Sequence, residues 1–470
     1  MAKSSTKNFI YTLLFAYAAI AIFTICFFNG TGDAGDSIQH YLFAKYAPQH
    51  PELFFHHWAK PVYVLLVSPF AHFGFIGVKI CNAILSFFSI LFTYLIVKEL
   101  KFKNAELVAL FMIFTPLYYV LTFSGLTEPM FAFFIGLGLY LIVKNHFIAA
   151  CLLISFLPFV RSEGLIILGI FALYFLLKRK WKVLPFLLTG HILYSIAGYF
   201  VYHDILWVFT KIPYAHTSNQ YGSGELFHYV NQLLYVIGVP LFILFWLGFI
   251  SLIFSFIKKK IQLELHVIVF LGFLSFFVAH SVFWYLGIFG SMGLKRVLLG
   301  VIPFIAIISL QGLNFLTENI LSKWFISKRI FQFIFVSYIL IFPFIHNPAS
   351  IDWKRDMTLT NDQQIAISIA KSLPDSIKNE SRFIYSHPYL GEALNIDPFN
   401  PQKRLELNAE NLEMLQKRDV IIWDNWFSVV ENGISQDKLD NNPDLIKTNQ
   451  LNTSDKGREK LFAVYIKKNK

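Results

Sequence analysis

Residues 8–41 read NFIYTLLFAYAAIAIFTICFFNGTGDAGDSIQHY. Residues 8–28 carry no charged side chain, and about 20 such apolar residues are what a helix needs to cross the hydrocarbon core. The chain then turns polar and places two carboxylates, Asp33 and Asp36, among small residues. A span opening into an acid-bearing loop points to a membrane protein whose chemistry sits at the bilayer surface. Lys3 and Lys7 precede the span as in a signal peptide, but its core is too long and no A-x-A-like site follows, so it reads as retained.

Moved along the 470 residues, the same window finds about eleven candidate spans, near 8–28, 78–97, 105–122, 128–143, 147–160, 164–177, 183–202, 233–257, 265–289, 297–316 and 330–346. A further run, 61–76, follows Pro61, contains Pro69 and reads as a juxtamembrane or re-entrant helix. Composition agrees: 56% of residues are hydrophobic, 18% aromatic and 15% charged, with a mean hydropathy of +0.55. Soluble domains carry roughly 25% charged residues, so a soluble enzyme is excluded. The expected fold class is an all-α polytopic membrane protein with a small C-terminal extracytoplasmic α/β domain. Residues 1–346 hold 11 acidic and 23 basic side chains, and residues 347–470 hold 18 and 17. That shift marks a transmembrane domain, with its first outer loop at 29–60, ahead of a soluble domain at 347–470. The net charge of +11 resides in the membrane part, as Lys and Arg flanking spans, and needs no nucleic acid. Cys26, Cys81 and Cys151 lie in apolar runs, so neither a disulfide nor a thiolate metal site is expected.

With the N-terminus cytoplasmic, alternating spans put sixteen Lys and Arg inside and six outside, namely Lys45, Lys60, Arg161, Lys211, Lys295 and Arg296. The opposite orientation would invert the split that the positive-inside rule requires. An odd number of spans then places 347–470 outside. In that tail RFIY (382–385), VIIW (420–423) and LFAVYI (461–466) read as strands, and 361–373 and 406–417 as helices. No Gly-rich phosphate loop, C-x-x-C, H-E-x-x-H or G-x-S-x-G occurs, so nucleotide-driven transport and zinc proteolysis lack their usual motifs. Abundant Phe and Lys with few Cys fits a bacterial inner membrane.

Acidic residues are costly in a membrane domain, which makes the positions of the few informative. Seven of the eleven face outward on this topology. Asp33 and Asp36 are candidates for a general base, since a carboxylate at the membrane surface meets both a lipid-held donor and a water-borne acceptor. A solvated turn is the plainer explanation, because Gly, Asp and Asn form turns. Asp33, Asp36 and His40, at i, i+3 and i+7, also leave a divalent ion open, although hard-ion sites usually recruit more carboxylates. The loop's rings, among them His40, Tyr41 and Trp58, suit either sugar stacking or a headgroup-level belt. Two outer turns add charge: SGLTEP (124–129) carries Glu128, and VRSEG (160–164) carries Arg161 and Glu163. The last cluster is AHSVFWYLGIFGSMGLKRVLLGVIPF (279–304), where Lys295 and Arg296 break the inside-positive pattern. A planar Arg fork binds phosphate bidentately, while snorkelling to the interface would account for the same charge without a ligand. His280 and Trp284, four apart, share a helical face and could line the same cavity.

Together these features resemble the GT-C superfamily of membrane glycosyltransferases, such as protein O-mannosyltransferases, aminoarabinose transferases and GPI mannosyltransferases. The resemblance covers the architecture of the whole chain. At motif level GDSIQHYLFAKYA (35–47), with an acid five residues before Tyr41, is similar to the family's D-x-x-x-Y opening of the first loop. LTEP is similar to its S/T-E-P, and RSEG to its R-P-E-G with Ser162 in place of Pro. GLKRVLLGVIPFIAI is similar to its G-x-R-Y-x-L-P-x-x-P-F, with Val297 for the aromatic and Gly300 for a proline, which leaves the subfamily open. The resemblance implies inverting transfer of a sugar from a polyprenyl phosphate in the bilayer to a glycan, lipid or protein acceptor. It makes Asp36 the first choice for the base and Asp33 the second, with Arg296 and Arg161, backed by Lys295, on the departing phosphate. Glu128 and Glu163 would orient sugar hydroxyls or Arg161, and His280, Trp284, His40 and Tyr41 complete the substrate side. Apart from the divalent ion left open, no cofactor is expected. A lipid-linked sugar transporter or flippase is the main competing class. Such proteins carry ionisable groups at mid-membrane depth, whereas these charges gather at one face. An O-antigen-type polymerase or ligase also competes, as does a receptor or scaffold working through its tail.

Overall fold

The computed structural model describes residues 2–213, 221–320, 328–455 and 458–468; Lys323, counted among the cytoplasmic basic residues, lies outside them. Among the described residues, six helical stretches are long and apolar enough to cross a membrane: Phe9–Phe27, Phe75–Glu99, Trp181–Tyr202, His228–Ile257, Glu264–Leu286 and Lys295–Glu318. The remaining expected spans are shorter, Glu128–Val143, Phe147–Val160, Gly164–Leu177 and Ile330–Phe344, or broken, as 105–122 is into Leu107–Ile113 and Pro116–Thr122. That break has a local cause: a residue before proline is pushed out of the helical region, and Thr115 sits at ψ 114°. Six helices thus reach spanning length by length and composition, and the other expected spans form shorter or broken helices, because hydropathy counts apolar residues without seeing where a helix stops. The juxtamembrane run forms Pro61–Ala71, an 11-residue helix opening on proline. At about 1.5 Å per residue it is too short to span.

Where lipid removes the hydrophobic drive between helices, small residues let backbones approach. His228–Ile257 and Ile302–Phe315 meet in this way. A Cβ on Gly248 would lie 1.8 Å from the Ile308 carbonyl oxygen, and one on Gly312 would lie 1.9 Å from that of Leu244. The helix Ile302–Phe315 is buried over most of its length and forms the centre of the bundle. Leu193, Ile196 and Phe200, by contrast, are exposed, as side chains facing lipid would be. The central helix is preceded by a 3-10 turn, Lys295–Val301, which carries Arg296.

The C-terminal part holds five strands: β1 (Phe383–Tyr385), β2 (Arg404–Leu405), β3 (Val420–Asp424), β4 (Leu445–Asp455) and β5 (Arg458–Lys467). Their order is β2-β1-β3-β5-β4, with β1 parallel to β2 and β3, and β5 antiparallel to β3 and β4. β1, β3 and β5 fall on the three expected apolar runs. β4 has no such run. It is a polar edge strand, and an edge needs no apolar face. Of the two expected helices, 361–373 forms as Asn361–Ser372, whereas 406–417 shrinks to Ala409–Glu413 because extended Asn408 caps it late. This part sits on the loop that follows the first helix. Gly30 N–H donates to Met357 O at 2.9 Å, Lys45 pairs with Glu392 at 3.0 Å, and His50 meets Asp397 at 2.7 Å.

Candidate active site

The first helix ends at Phe27, and the next begins at Asp36, running to Tyr46. Between them the chain folds on its own side chains. Asp33 Oδ1 accepts the N–H groups of Gly35 (3.1 Å) and Ser37 (2.9 Å), the local bonding that Asp offers a turn leading into a helix. Ser37 Oγ donates to Thr31 O at 2.5 Å and accepts Gly125 N–H at 2.6 Å, tying the loop to the SGLTEP turn. Asp36 stands in the first turn of its helix, where the helix dipole favours a negative charge.

Charges from four separated segments then converge. Arg296 gives one terminal nitrogen to Asp33 and the other to Asp36, and its Nε lies 3.7 Å from Glu128. Glu128 is 1% exposed and meets Arg161 at 2.8 Å. Arg161 also pairs with Glu163 at 2.9 Å and donates to Thr127 Oγ1 at 3.0 Å. His280 Nε2 stands 3.8 Å from Glu163, and Lys60 Nζ donates to Ser162 Oγ at 3.2 Å. The result is a chain of alternating charge, with four carboxylates interleaved by two guanidiniums and Lys60 alongside. Buried charges persist only when paired in this manner.

The surroundings set the protonation states. Burial pushes the Asp33 carboxyl up to about 6; Arg296 opposes it and Asp36 adds to it. For Asp36 burial also acts upward, but Arg296 outweighs that and holds the carboxyl below its ordinary value. Glu163 is held down at about 2 because Arg161 overcomes its burial. Burial lowers the Lys60 ammonium to about 8 against the pull of Glu163, and it drops His40 to about 3, leaving that ring neutral at pH 7. Asp33 yields a test. Its folded value lies above that of an unfolded Asp, near 4, so the folded state holds the extra proton. That stability is complete below pH 4 and is lost as pH rises through about 6. The stability advantage of Asp33→Asn over wild type should therefore grow between pH 4 and 6 and level off above, as read from chemical denaturation of the purified chain at each pH. A difference independent of pH would refute the assignment.

Asp33, Asp36, Glu128, Arg161, Glu163 and Arg296 thus come together, with His280 at their edge. Four other expected site residues do not join them. Lys295 lies over the Tyr235 ring at 5.8 Å, because neighbours on a 3-10 turn point about a third of a turn apart. Tyr41 donates to Glu392 of the C-terminal part at 3.1 Å. Trp284 packs against Gly293 and Gly224, one turn beyond His280. His40 stacks on Trp58, ring centres 4.8 Å apart. Nor does the spacing of Asp33, Asp36 and His40 produce a metal centre. No group of three His, Cys, Asp or Glu that could hold an ion occurs among the described residues, and Arg296 already takes both carboxylates. Two site residues were not singled out from sequence. Lys60 is half-buried beside Pro61 with φ 68°, a backbone that non-glycine residues adopt at a cost. Gln363, from the C-terminal part, reaches the Asp33 loop.

No family model and no curated protein matches the chain. Solved structures do. The chain is similar to ArnT from Cupriavidus metallidurans bound to undecaprenyl phosphate, with a TM-score of 0.60 and 11% identity over 97% of this chain and 98% of that one. It is similar to the same protein in the apo state, with a TM-score of 0.61 and 10% identity over 96% and 97%. At such identity the likeness is one of fold. The chain has the GT-C fold of a multi-pass integral membrane protein, with a small sheet domain following its helices.

Proposed function

We propose that the chain is a membrane glycosyltransferase that moves a sugar from a polyprenyl phosphate to an acceptor on the outer face of a bacterial inner membrane, with Asp36 as the base. The observation that carries this is the Arg296 fork across Asp33 and Asp36, next to the Glu128–Arg161–Glu163 chain. It stands in a fold shared with a protein solved bound to undecaprenyl phosphate. An acid able to take a proton and cations able to take a phosphate are adjacent, as direct displacement requires. In that step the acceptor hydroxyl gives its proton to Asp36 while its oxygen bonds to the anomeric carbon. The bond from that carbon to the phosphate oxygen breaks, its electron pair leaves with the phosphate, and the configuration inverts. Arg296 and Arg161, with Lys60 beside them, neutralise the charge arriving on the phosphate, where preorganised cations contribute most. Glu128 and Glu163 hold the two guanidiniums in place and face the sugar hydroxyls. Residues 347–470 form an outward soluble domain above the site.

The test is mass spectrometry of cell-envelope glycans and lipids from a deletion strain and from the same strain rescued with the wild-type chain. One sugar missing in the deletion and restored on rescue is the expected result, and it identifies the sugar transferred. Accumulation of untranslocated lipid-linked sugar in the deletion would favour a transporter instead.

A further inference from the structure

We infer that Gln363 is a positioning residue, through which the C-terminal domain holds the loop bearing Asp33 and Asp36 in its working geometry; this rests on the catalytic reading of those two residues. The Gln363 side chain is fully buried. Its Nε2 donates to Thr31 Oγ1 at 2.9 Å, to Asp33 O at 3.2 Å and to Ala34 O at 3.4 Å. Its Oε1 accepts Thr360 N–H at 3.1 Å, completing a capping box at the start of Asn361–Ser372, and lies 3.3 Å from Thr31 Oγ1. One amide therefore does two things: its oxygen caps its own helix and touches Thr31, while its nitrogen alone grips the Asp33 and Ala34 carbonyls.

The loop is held from the same domain at two more points. Gly30 N–H donates to Met357 O at 2.9 Å. The Phe427 ring lies so close over Gly35 that a Cβ there would come within 2.6 Å of its Cζ. The Gly30 N–H, the Asp33 and Ala34 carbonyls and the Gly35 backbone are thus contacted by Met357, Gln363 and Phe427, while the carboxylates of Asp33 and Asp36 face Arg296. Displacing a reacting group by about 1 Å is enough to cost two orders of magnitude in rate. A domain that fixes the loop backbone consequently governs chemistry it does not itself perform.

Gln363→Glu removes the nitrogen's hold on the Asp33 and Ala34 carbonyls alone, since Glu serves as well as Gln in a capping box and beside Thr31 but has no N–H to offer the loop. Gln363→Met removes the donors without adding charge. In the full-length purified chain, hydrogen exchange at the Gly35 and Ser37 amides should speed up about tenfold or more in both variants, with the β3 and β5 amides unchanged. The envelope product of the rescued deletion strain should fall about tenfold or more at matched membrane abundance. Unchanged exchange at residues 30–37 would overturn the inference, as would faster exchange with wild-type product. If Asp36→Asn also gave wild-type product, the catalytic reading would fall instead, and the exchange data would still report whether the loop is held.

Discussion

Asp36→Asn should leave about a hundredth or less of wild-type transfer, the loss expected when a general base is removed, with binding of undecaprenyl phosphate unchanged or tighter. The carboxamide matches the carboxylate in size but cannot take a proton. Asp36, rather than Asp33, is placed for the task. Both Asp33 oxygens are occupied, one by two backbone N–H groups and the other by Arg296. Asp36 gives one oxygen to Arg296, and among the described residues its other oxygen meets no donor. Its side chain is 45% exposed against 20% for Asp33, so an acceptor arriving from water reaches it first. Its lowered pKa keeps it ionised at pH 7, so the proton-accepting form is always present, at some cost in basicity. Binding should not weaken, because losing this carboxylate frees part of the Arg296 fork for the phosphate. The measurement pairs envelope product in the rescued deletion strain, at matched abundance, with undecaprenyl phosphate titration of the purified variant. Full rescue would move the base to Asp33.

Much of this site could be read from sequence because each charged member stands out against an apolar surround. Glu128, Arg161, Glu163 and Arg296 are far apart along the chain, yet each lies at the end of a span, where an ionisable residue is conspicuous. Lys60 and Gln363 escape for different reasons. Lys60 resembles any outer-loop lysine, and its strained backbone is invisible until the chain is folded. Gln363 is uncharged and 330 residues from Asp33, so no local pattern links them. Lys295 and Trp284 show the converse, since nearness in sequence to Arg296 and His280 does not bring them to the carboxylates. The 3-10 turn at Lys295–Val301 sends adjacent side chains to different neighbours, and only one of the two cations reaches the carboxylates. In the fold the same limit appears at Thr115. Apolar content continues across it, but backbone sterics before Pro116 stop the helix.

Arg296→Ala should remove both undecaprenyl phosphate binding and much of the protein's stability, and a second substitution should restore only the latter. Taking away the guanidinium leaves Asp33 and Asp36 facing each other without a counter-charge and leaves Glu128 to Arg161 alone. Breaking a buried pair from one side costs about 3–5 kcal/mol, and the partial exposure of Asp36 places this site towards the low end. Arg296→Lys keeps the positive charge but replaces a planar fork with a single point that cannot bridge two carboxylates in fixed geometry. Its thermal midpoint should lie near wild type while transfer stays well below it. In Arg296→Ala with Asp33→Asn, the more deeply buried of the two orphaned carboxylates is gone, so stability returns in part. Phosphate binding does not return, because no cation has been put back. Thermal unfolding and undecaprenyl phosphate titration on the four purified proteins separate the two effects. If Arg296→Ala bound the lipid as wild type does, Arg296 would be a structural clamp on the aspartates, and the leaving phosphate would fall to Arg161 and Lys60.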